Sequence, residues 1–308
     1  MNCGEDRLTV VVVSYNTRAL LLDCLASIVD CDPGLEIVVV DNNSSDGSAD
    51  AVLQSFPQAM LIQNQRNAGF GRACNQAIAA TTSPLILLLN SDARLNSQAL
   101  SALCDCLSSD RRCGAAGCTI VDAAGVVTPN TWHFLNPVNQ ALELIGIRPA
   151  SQLLSRTHRL ALDHARQDKS IDWIDGACLM LRRAALEDVG LFDERFFMYS
   201  EDEDLCFRLK QRGWSVCFTG GGSVIHCGGA SAAQDRIESL ARYYSSQMEF
   251  LRKNRSAVSE WFYTWAMRCV LIAKKLFGKQ SSMAGFTASA DEMLAAFNRA
   301  AHRDKSPL

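Results

Sequence analysis

Four places in the chain put reactive side chains where chemistry is commonly done. The run Pro84-Leu-Ile-Leu-Leu-Leu breaks abruptly into Asn90, Ser91 and Asp92. So short an apolar run reads as a buried parallel strand, and ligands of such sheets sit outside the carboxyl ends, where Asp92 falls. A strand-end turn or a helix cap would explain the same carboxylate without a ligand. Asp41 repeats the arrangement after Glu36–Val40. Four consecutive acids, Glu201 to Asp204, follow the aromatic Phe196, Phe197 and Tyr199, and His226 ends Ser223-Val-Ile-His before the Gly-rich Cys227 to Ser231. Carboxylates can hold a divalent cation or take a proton, and neutral imidazole is a common transition-metal ligand. Acids at a helix start are also favoured by the helix dipole, and a lone histidine is usually structural.

The elements that must position these groups are legible around them. Leu8 to Ser14 is a β-branched strand, followed by Tyr15 and by Asn16, placed to cap a helix with the stripe Leu21, Leu25, Ile28 and Val29. Glu36 to Val40 is a second strand and Ala59 to Gln63 a third. Asn67-Ala-Gly69-Phe-Gly71 then opens a helix through Ile78 that carries Arg72 and Asn75, and Pro84 to Asn90 is the fourth strand. Four βα repeats predict an α/β fold with a doubly wound, mainly parallel sheet and helices on both faces.

Further on, Asn96 caps a helix to about Leu107, and Cys113 to Val121 is a strand whose turn leads into Val126 to Thr128. The stretch from Thr131-Trp-His133-Phe to Lys169 reads first as a surface excursion and second as a loop over a site. Ile171 to Leu181, which holds Trp173, is a strand kinked at Asp175-Gly176, and a helix from Arg183 to Val189 stops at Gly190. Ser200 and Glu203 have capping-box spacing, which puts the acidic run in the first turn of a helix ending at Gly213. Trp214–Phe218 and Ser223–His226 are two last strands.

Several classes are excluded. No glycine follows the first strand, so a Rossmann fingerprint is absent, and there is no Walker A Gly-Lys-Ser/Thr. A nucleotide would be held by side chains such as Tyr15, Asp41, Asn67 and Asn75. With 308 residues, 48% of them hydrophobic and 20% charged, the chain can bury a sizeable core. Thirteen cysteines without a Cys-x-x-Cys pair suit small core residues in a reducing compartment, with no disulfide framework and no zinc site. Met1 to Arg7 is polar and Leu8 to Val13 is too short for a signal peptide, so a cytoplasmic protein is expected.

The net charge of −3 is unevenly spread. From Phe250 onward ten Lys/Arg stand against four Asp/Glu, a balance of +6 that leaves −9 for the rest. Asp235–Arg252 and Val258–Phe277 read as helices. The second has apolar positions 258, 261, 262, 265, 269, 272 and 276, with Arg268, Lys274 and Lys275 elsewhere. Arg268 leaves it too short to span a bilayer. The stripe packs on the catalytic domain or on a second copy as a homodimer, or else residues 250–279 lie on an anionic membrane surface. No nucleic-acid partner is expected.

The ordered blocks Ser14-Tyr15-Asn16, Val39-Val40-Asp41-Asn42, Asn67-Ala-Gly69-Phe-Gly71 with Asn75, Asn90-Ser91-Asp92, Asp175-Gly176, Glu201 to Leu205, and His226 with Gly229 resemble a family 2 glycosyltransferase of the GT-A fold, in its bacterial rhamnosyltransferase-like branch. The likeness covers about residues 8 to 231. It implies a catalytic domain over 1–231, with a nucleotide-sugar half to about 95 and an acceptor half from 96, and a C-terminal helical extension over 232–308.

The resemblance further implies that Tyr15 and Asp41 hold the base and ribose of a dTDP- or UDP-sugar, among donor-side residues Ser14, Asn16, Asn67, Gly69, Arg72, Asn75, Asn90 and Ser91. Asp92 and His226 would hold Mg2+ or Mn2+, the imidazole leaning towards Mn2+. Asn90 departs from the aspartate that many members carry. Asp202 is implied as the general base of an inverting transfer, with Trp173, Asp175, Gly176, Tyr199 and Glu201 on the acceptor side or in the site wall. Arg72 or Arg208 would assist at the leaving phosphate. The implied reaction moves a deoxyhexose such as rhamnose to a saccharide or polyprenyl-linked acceptor in cell-surface polysaccharide synthesis, at the inner face of the cell membrane. A competing reading is a non-catalytic nucleotide-sugar or glycan-binding protein, towards which Asn90 leans. A nucleotidyltransferase is disfavoured for want of a Gly-rich, Lys-bearing loop.

Overall fold

The structure, a computed structural model, describes residues 7–136, 167–168, 171–228, 236–277, 281–283 and 286–303. Gly229 and Ser231 lie outside the described residues, as does most of the stretch before Lys169.

Strands β1 (Leu8–Ser14), β2 (Glu36–Asp41), β3 (Met60–Gln63) and β4 (Leu85–Asn90) run parallel in the order β3-β2-β1-β4. The sheet continues through β11 (Cys178–Arg182), β6 (Cys113–Val121), β12 (Ser215–His226) and β5 (Ala93–Arg94), with β7 (Val127–Thr128) paired to β6 and β9 (Gln167–Asp168) to β12. Among these, β11 is antiparallel to both neighbours, whereas β12 runs parallel to β6. The sheet is therefore mixed, with its four-strand parallel half as expected.

Because side chains alternate across a strand, β1 and β4 feed two cores. Val10, Val12, Leu85, Leu87 and Leu89 pack with Leu21, Leu25 and Ile28 of helix α1 (Arg18–Cys31) and with Leu100 and Leu103 of α4 (Ser97–Ser109). Val11, Ile86 and Leu88 face Ala73, Ala77 and Ile78 of α3 (Phe70–Ala79) and Leu205 and Leu209 of α6 (Glu201–Gln211). Burial on both faces is why these strands read as unbroken apolar runs. Between them, α2 (Ser48–Ser55) connects β2 to β3 and α5 (Arg183–Val189) follows β11.

A third core joins α7 (Arg236–Asn254), α8 (Ala257–Phe277) and α9 (Ala290–Arg303). Tyr244, Phe250, Tyr263, Met267 and Phe297 close it, together with Leu135 and Phe196 from the preceding part of the chain. The described region also contains a short hairpin, β13 (Ser281–Met283) with β14 (Phe286–Ala288), that the sequence did not signal.

Several local expectations are corrected. Asn16 does not cap α1: it sits at φ +52°, Thr17 occupies the cap position without a side-chain bond, and Asn16 Oδ1 accepts from Ser45 N at 2.7 Å. It ties two strand-end loops together instead. Ser200 is left-handed and makes no cap bond: the Glu203 N–H it would accept from donates to Asp202 Oδ1 at 2.8 Å, and the Glu203 carboxylate that would reach back accepts from Leu135 N at 2.5 Å. The expected final two strands are one, β12, with an irregular register between Thr219 and Ser223, where Gly222 lies too close to the backbone of Ala99 to carry a Cβ. The Ile171–Leu181 strand is two, β10 (Trp173–Ile174) and β11, parted at Asp175-Gly176.

Thr131–Trp132 is a strand, β8, paired with β10 and flanked by buried Asn130 and Leu135, so the start of the supposed surface excursion belongs to the body of the protein. Among the described cysteines eleven are free thiols and Cys104 is disulfide-bonded. Cys106, Cys113 and Cys217 lie within 4.8 Å of one another in the core, where burial and mutual hydrogen bonding keep the Cys113 thiol protonated. Asn96 caps α4 as expected, accepting from Ala99 N at 2.9 Å.

Candidate active site

The carboxyl ends of the parallel strands lie side by side. The register pairs Ser14 with Asp41 and Val13 with Asn90, which brings the ends of β2, β1 and β4 to one edge. That is where an open α/β sheet offers a crevice. Hydroxyls lace the edge together: Ser14 Oγ meets Thr17 Oγ1 at 3.0 Å, and Thr17 Oγ1 meets Ser91 Oγ at 2.9 Å. Ser14 and Ser91 are thus buried positioning groups.

Asp41 is buried. Its Oδ2 accepts from Ser44 N at 3.0 Å, while Oδ1 is buried with no hydrogen-bond partner among the described groups. An unsatisfied buried carboxylate oxygen is costly, and a ligand hydroxyl would satisfy it. Tyr15 stands next to Ser14, half-buried, at the same edge.

Asn42, which sequence reasoning did not single out, organises the next loop. Its Nδ2 donates to Gly69 O at 3.2 Å, and its Oδ1 accepts from Asn64 Nδ2 at 2.8 Å and Ala68 N at 3.3 Å. Within that loop Asn67 Oδ1 accepts from Gly69 N at 3.0 Å. Gly69, at φ +86°, abuts the carbonyl of Phe197, which also accepts from Phe70 N at 2.8 Å. Asn75 is committed structurally, donating to Phe192 O and accepting from Phe192 N. Arg72 pairs with Glu194 at 3.5 Å, both half-exposed. Arg208 is spent on Asp204 and the carbonyls of Val189, Gly190 and Leu191, so it does not stand free for a phosphate.

Asp92 and His226 meet although 134 positions separate them, because β5 pairs with the end of β12 and sets His226 opposite Ala93. Asp92 Oδ1 lies 3.0 Å from His226 Nε2, and Asn90 Nδ2 lies 3.3 Å from the same nitrogen. Burial favours the neutral ring, but the hydrogen bond and charge of Asp92 outweigh it and raise the His226 pKa. One oxygen and one nitrogen donor at this separation fit a shared divalent ion, since neighbouring ligands at about 2.1 Å in an octahedral shell stand about 3 Å apart.

Asp202 lies in the first turn of α6, buried. Gly176 N donates to its Oδ2 and Glu203 N to its Oδ1, each at 2.8 Å. Burial pushes its carboxyl up to about 6 while these backbone donors hold it down. Burial and then the adjacent Asp202 raise Glu201 well above the usual carboxylate range. Glu201 Oε2 is itself buried without a hydrogen-bond partner among the described groups.

Asp175 links the two ends of the site. Burial, then Asp202, raise its carboxyl to about 7, with His226 acting in the opposite sense. Its Oδ1 is buried with no hydrogen-bond partner among the described groups, and Trp132 Nε1 reaches Oδ2 at 3.5 Å. Trp132 and Trp173 face each other across β8 and β10, ring centroids 6.2 Å apart. Trp132 was legible only as an aromatic residue in a weakly patterned stretch. His133 bonds Asp172 at 3.0 Å, outside this constellation. On the other wall Tyr199 and Ser200, at φ +72° and +59°, turn the chain into α6, with Tyr199 against Tyr243. Asp92, His226, Asp175 and Asp202 therefore form one connected set of ionisable groups.

Comparison with known proteins follows the same line. The profile described as Glycosyltransferase like family 2 matches residues 6–245. An N-acetylglucosaminyl-diphospho-decaprenol L-rhamnosyltransferase from Mycobacterium tuberculosis is 28% identical over 292 residues, covering 90% of this chain and 94% of that protein. A low-salt glycan biosynthesis hexosyltransferase from Haloferax volcanii is 24% identical, over 68% of this chain and 64% of its own. Among solved structures, a mannosyltransferase from Pyrobaculum calidifontis in complex with GDP-Man and Mn2+ superposes with a TM-score of 0.61 at 18% identity, covering 98% of this chain and 88% of that one. GalNAc-T7 with UDP, GalNAc and Mn2+ gives 0.59 at 15% identity, over 84% and 50%. The expected GT-A architecture is borne out.

Proposed function

Because the chain belongs to glycosyltransferase family 2, we propose that it moves a deoxyhexose, most simply rhamnose, from a dTDP- or UDP-linked donor to a lipid-linked saccharide, with inversion at the anomeric carbon. The observation that carries this reading is the 3.0 Å approach of Asp92 and His226, together with an Asp202 held by backbone N–H donors.

On the donor side, Asp41 Oδ1 accepts from a ribose hydroxyl and Tyr15 lies against the base, while the Asn42-organised loop at 67–69 closes the edge. Asp92 and His226 would hold Mg2+ or Mn2+ on the diphosphate. When bound, that cation supplies Lewis-acid neutralisation of the charge that grows on the leaving phosphate oxygen. Asn90 steers the His226 ring and adds no charge of its own.

On the acceptor side, Asp202 takes the proton of the attacking hydroxyl as the bond from oxygen to C1 forms and the bond from C1 to the diphosphate oxygen breaks. Asp175 Oδ1 accepts from a neighbouring sugar hydroxyl, and Trp132 and Trp173 offer apolar faces to the sugar ring. Tyr199, Gly176 and Glu201 wall the site. No enzyme nucleophile is required.

We place the reaction at the inner face of the cell membrane, in cell-surface polysaccharide synthesis. The mycobacterial relative, whose name specifies a decaprenol-linked substrate, supports this setting, and no described helix is long and apolar enough to cross a membrane. We further divide the chain into a catalytic domain over 1–231 and a helical extension over 232–308. A panel of nucleotide-sugars tested for metal-dependent hydrolysis and thermal stabilisation decides the donor. Stabilisation by no member of the panel would overturn the reading.

A further inference from the structure

Helix α8 has two apolar faces, and only one is used. Tyr263, Met267 and Leu271 are fully buried against α7 and α9. On the other side Val258, Trp261, Trp265, Ile272 and Leu276 are 74%, 65%, 55%, 43% and 76% exposed. Their spacings of three, four and seven keep them on one stripe. The packing expected of this stripe is thus done by the opposite face.

The edge of the stripe is basic. Arg268 and Lys275 follow Trp265 and Ile272 by three positions and stand seven apart, so they line one shoulder; both are exposed, and Lys275 reaches Asp291 at 2.7 Å, itself 70% exposed. The single acid within α8, Glu260, is tied to Arg252 at 2.8 Å. Tryptophan suits a boundary that is apolar on one side and wet on the other.

We propose that this face of α8 docks on an anionic phospholipid bilayer, with Trp261, Trp265 and the aliphatic side chains entering the headgroup boundary and Arg268 and Lys275 meeting lipid phosphates. Charge complementarity favours this occupant: the shoulder of the stripe carries Arg268 and Lys275, the one acid of α8 is tied to Arg252, and an anionic surface complements that edge. The docking deepens the proposed function, on which it rests for its purpose, by naming the surface that keeps the enzyme beside a lipid-linked acceptor.

The test is flotation of the full chain with phosphatidylglycerol-containing vesicles that carry no acceptor, so its outcome is independent of glycosyl transfer. Wild type should float, with binding weakened by salt. Trp261→Ser with Trp265→Ser should lose at least about tenfold in partition while keeping the wild-type melting temperature and turnover on a soluble acceptor. Arg268→Gln with Lys275→Gln should lose the preference for anionic over phosphatidylcholine vesicles. The proposal is overturned by absence of flotation, by equal flotation of the serine variant, or by a dimer in ultracentrifugation that the serine variant dissolves. Flotation without any transfer activity would count against the proposed function alone.

Discussion

Gly176 donates its backbone N–H to Asp202 Oδ2 at 2.8 Å, locking the kink between β10 and β11 to the first turn of α6. The proposed base is therefore aimed by a main chain that cannot rotate away, and Glu203 N holds the second oxygen. Asp202→Asn keeps the side chain's shape and one of the two backbone hydrogen bonds, sets its amide NH2 against the other N–H, and removes the basicity. We expect nucleotide-sugar binding within about twofold of wild type and a turnover about 10²–10⁴-fold lower. Calorimetric binding beside steady-state kinetics separates the two, and near-normal turnover would remove Asp202 from the role.

The same carboxylate, as the proposed base, should set the pH dependence. Burial pushes Asp202 up to about 6, and a base works only when ionised. The rate constant kcat/KM should thus fall about tenfold per pH unit below about 6 and level off above it. A profile flat from about pH 5 to 8 would mean that another group takes the proton.

Asp92 and His226 make a second pair, joined across β5 and β12. Chelation should abolish transfer, and Mn2+ or Mg2+ should restore it. Asp92→Ala and His226→Ala should each raise the half-saturating metal concentration at least about tenfold, with Asp92→Ala the more severe because it removes the charge. Metal titrations of activity and of nucleotide binding check this. Full turnover in excess EDTA would dismiss the ion.

How much of this was open to sequence reasoning follows from range. Strands β1, β2 and β4 are buried on both faces, which writes itself as apolar runs, and the ends Ser14 and Asp41, with Asp92 two positions past β4, could be placed with no tertiary information. Asn16 and Ser200 illustrate the opposite. Their residue types fit caps, but Asn16 Oδ1 is taken by Ser45, 29 positions away, and the two Glu203 groups of a capping box are taken by Asp202 Oδ1 and by Leu135 N, 68 positions away. Trp132 enters the site through a two-residue ladder with β10, too short to leave a periodic trace. The α8 stripe was legible as amphipathic, yet which face packs depends on α7 and α9, and the buried Tyr263–Met267–Leu271 face is equally apolar.

Gly69 carries a conformational demand that a single methyl group tests. Its φ of +86° and ψ of +167° belong to a region open almost only to glycine, and a Cβ there runs into the carbonyl of Phe197. Gly69→Ala should cost about 2–4 kcal/mol, combining backbone strain with overpacking. Since the loop also borders the strand ends, donor affinity should drop with stability. Denaturant unfolding and donor titration report both, and an unchanged midpoint would show that the two loops part easily.

Glu203 gives a stability prediction of the less usual sign. It is buried, and desolvation raises its carboxyl to about 8 although Leu135 N donates to it. The unfolded group titrates near 4.3, so the folded chain holds the proton more tightly; this contribution is full below about pH 4.3 and is lost as pH climbs towards about 8. Glu203→Gln keeps an acceptor oxygen for Leu135 and never ionises. The variant should therefore match wild type near pH 4 and become the more stable of the two by more than about 1 kcal/mol at pH 8. Urea unfolding at the two pH values measures the gap. If it failed to widen with pH, Glu203 would have to be ionised and satisfied in the folded state, with Arg255 compensating the charge.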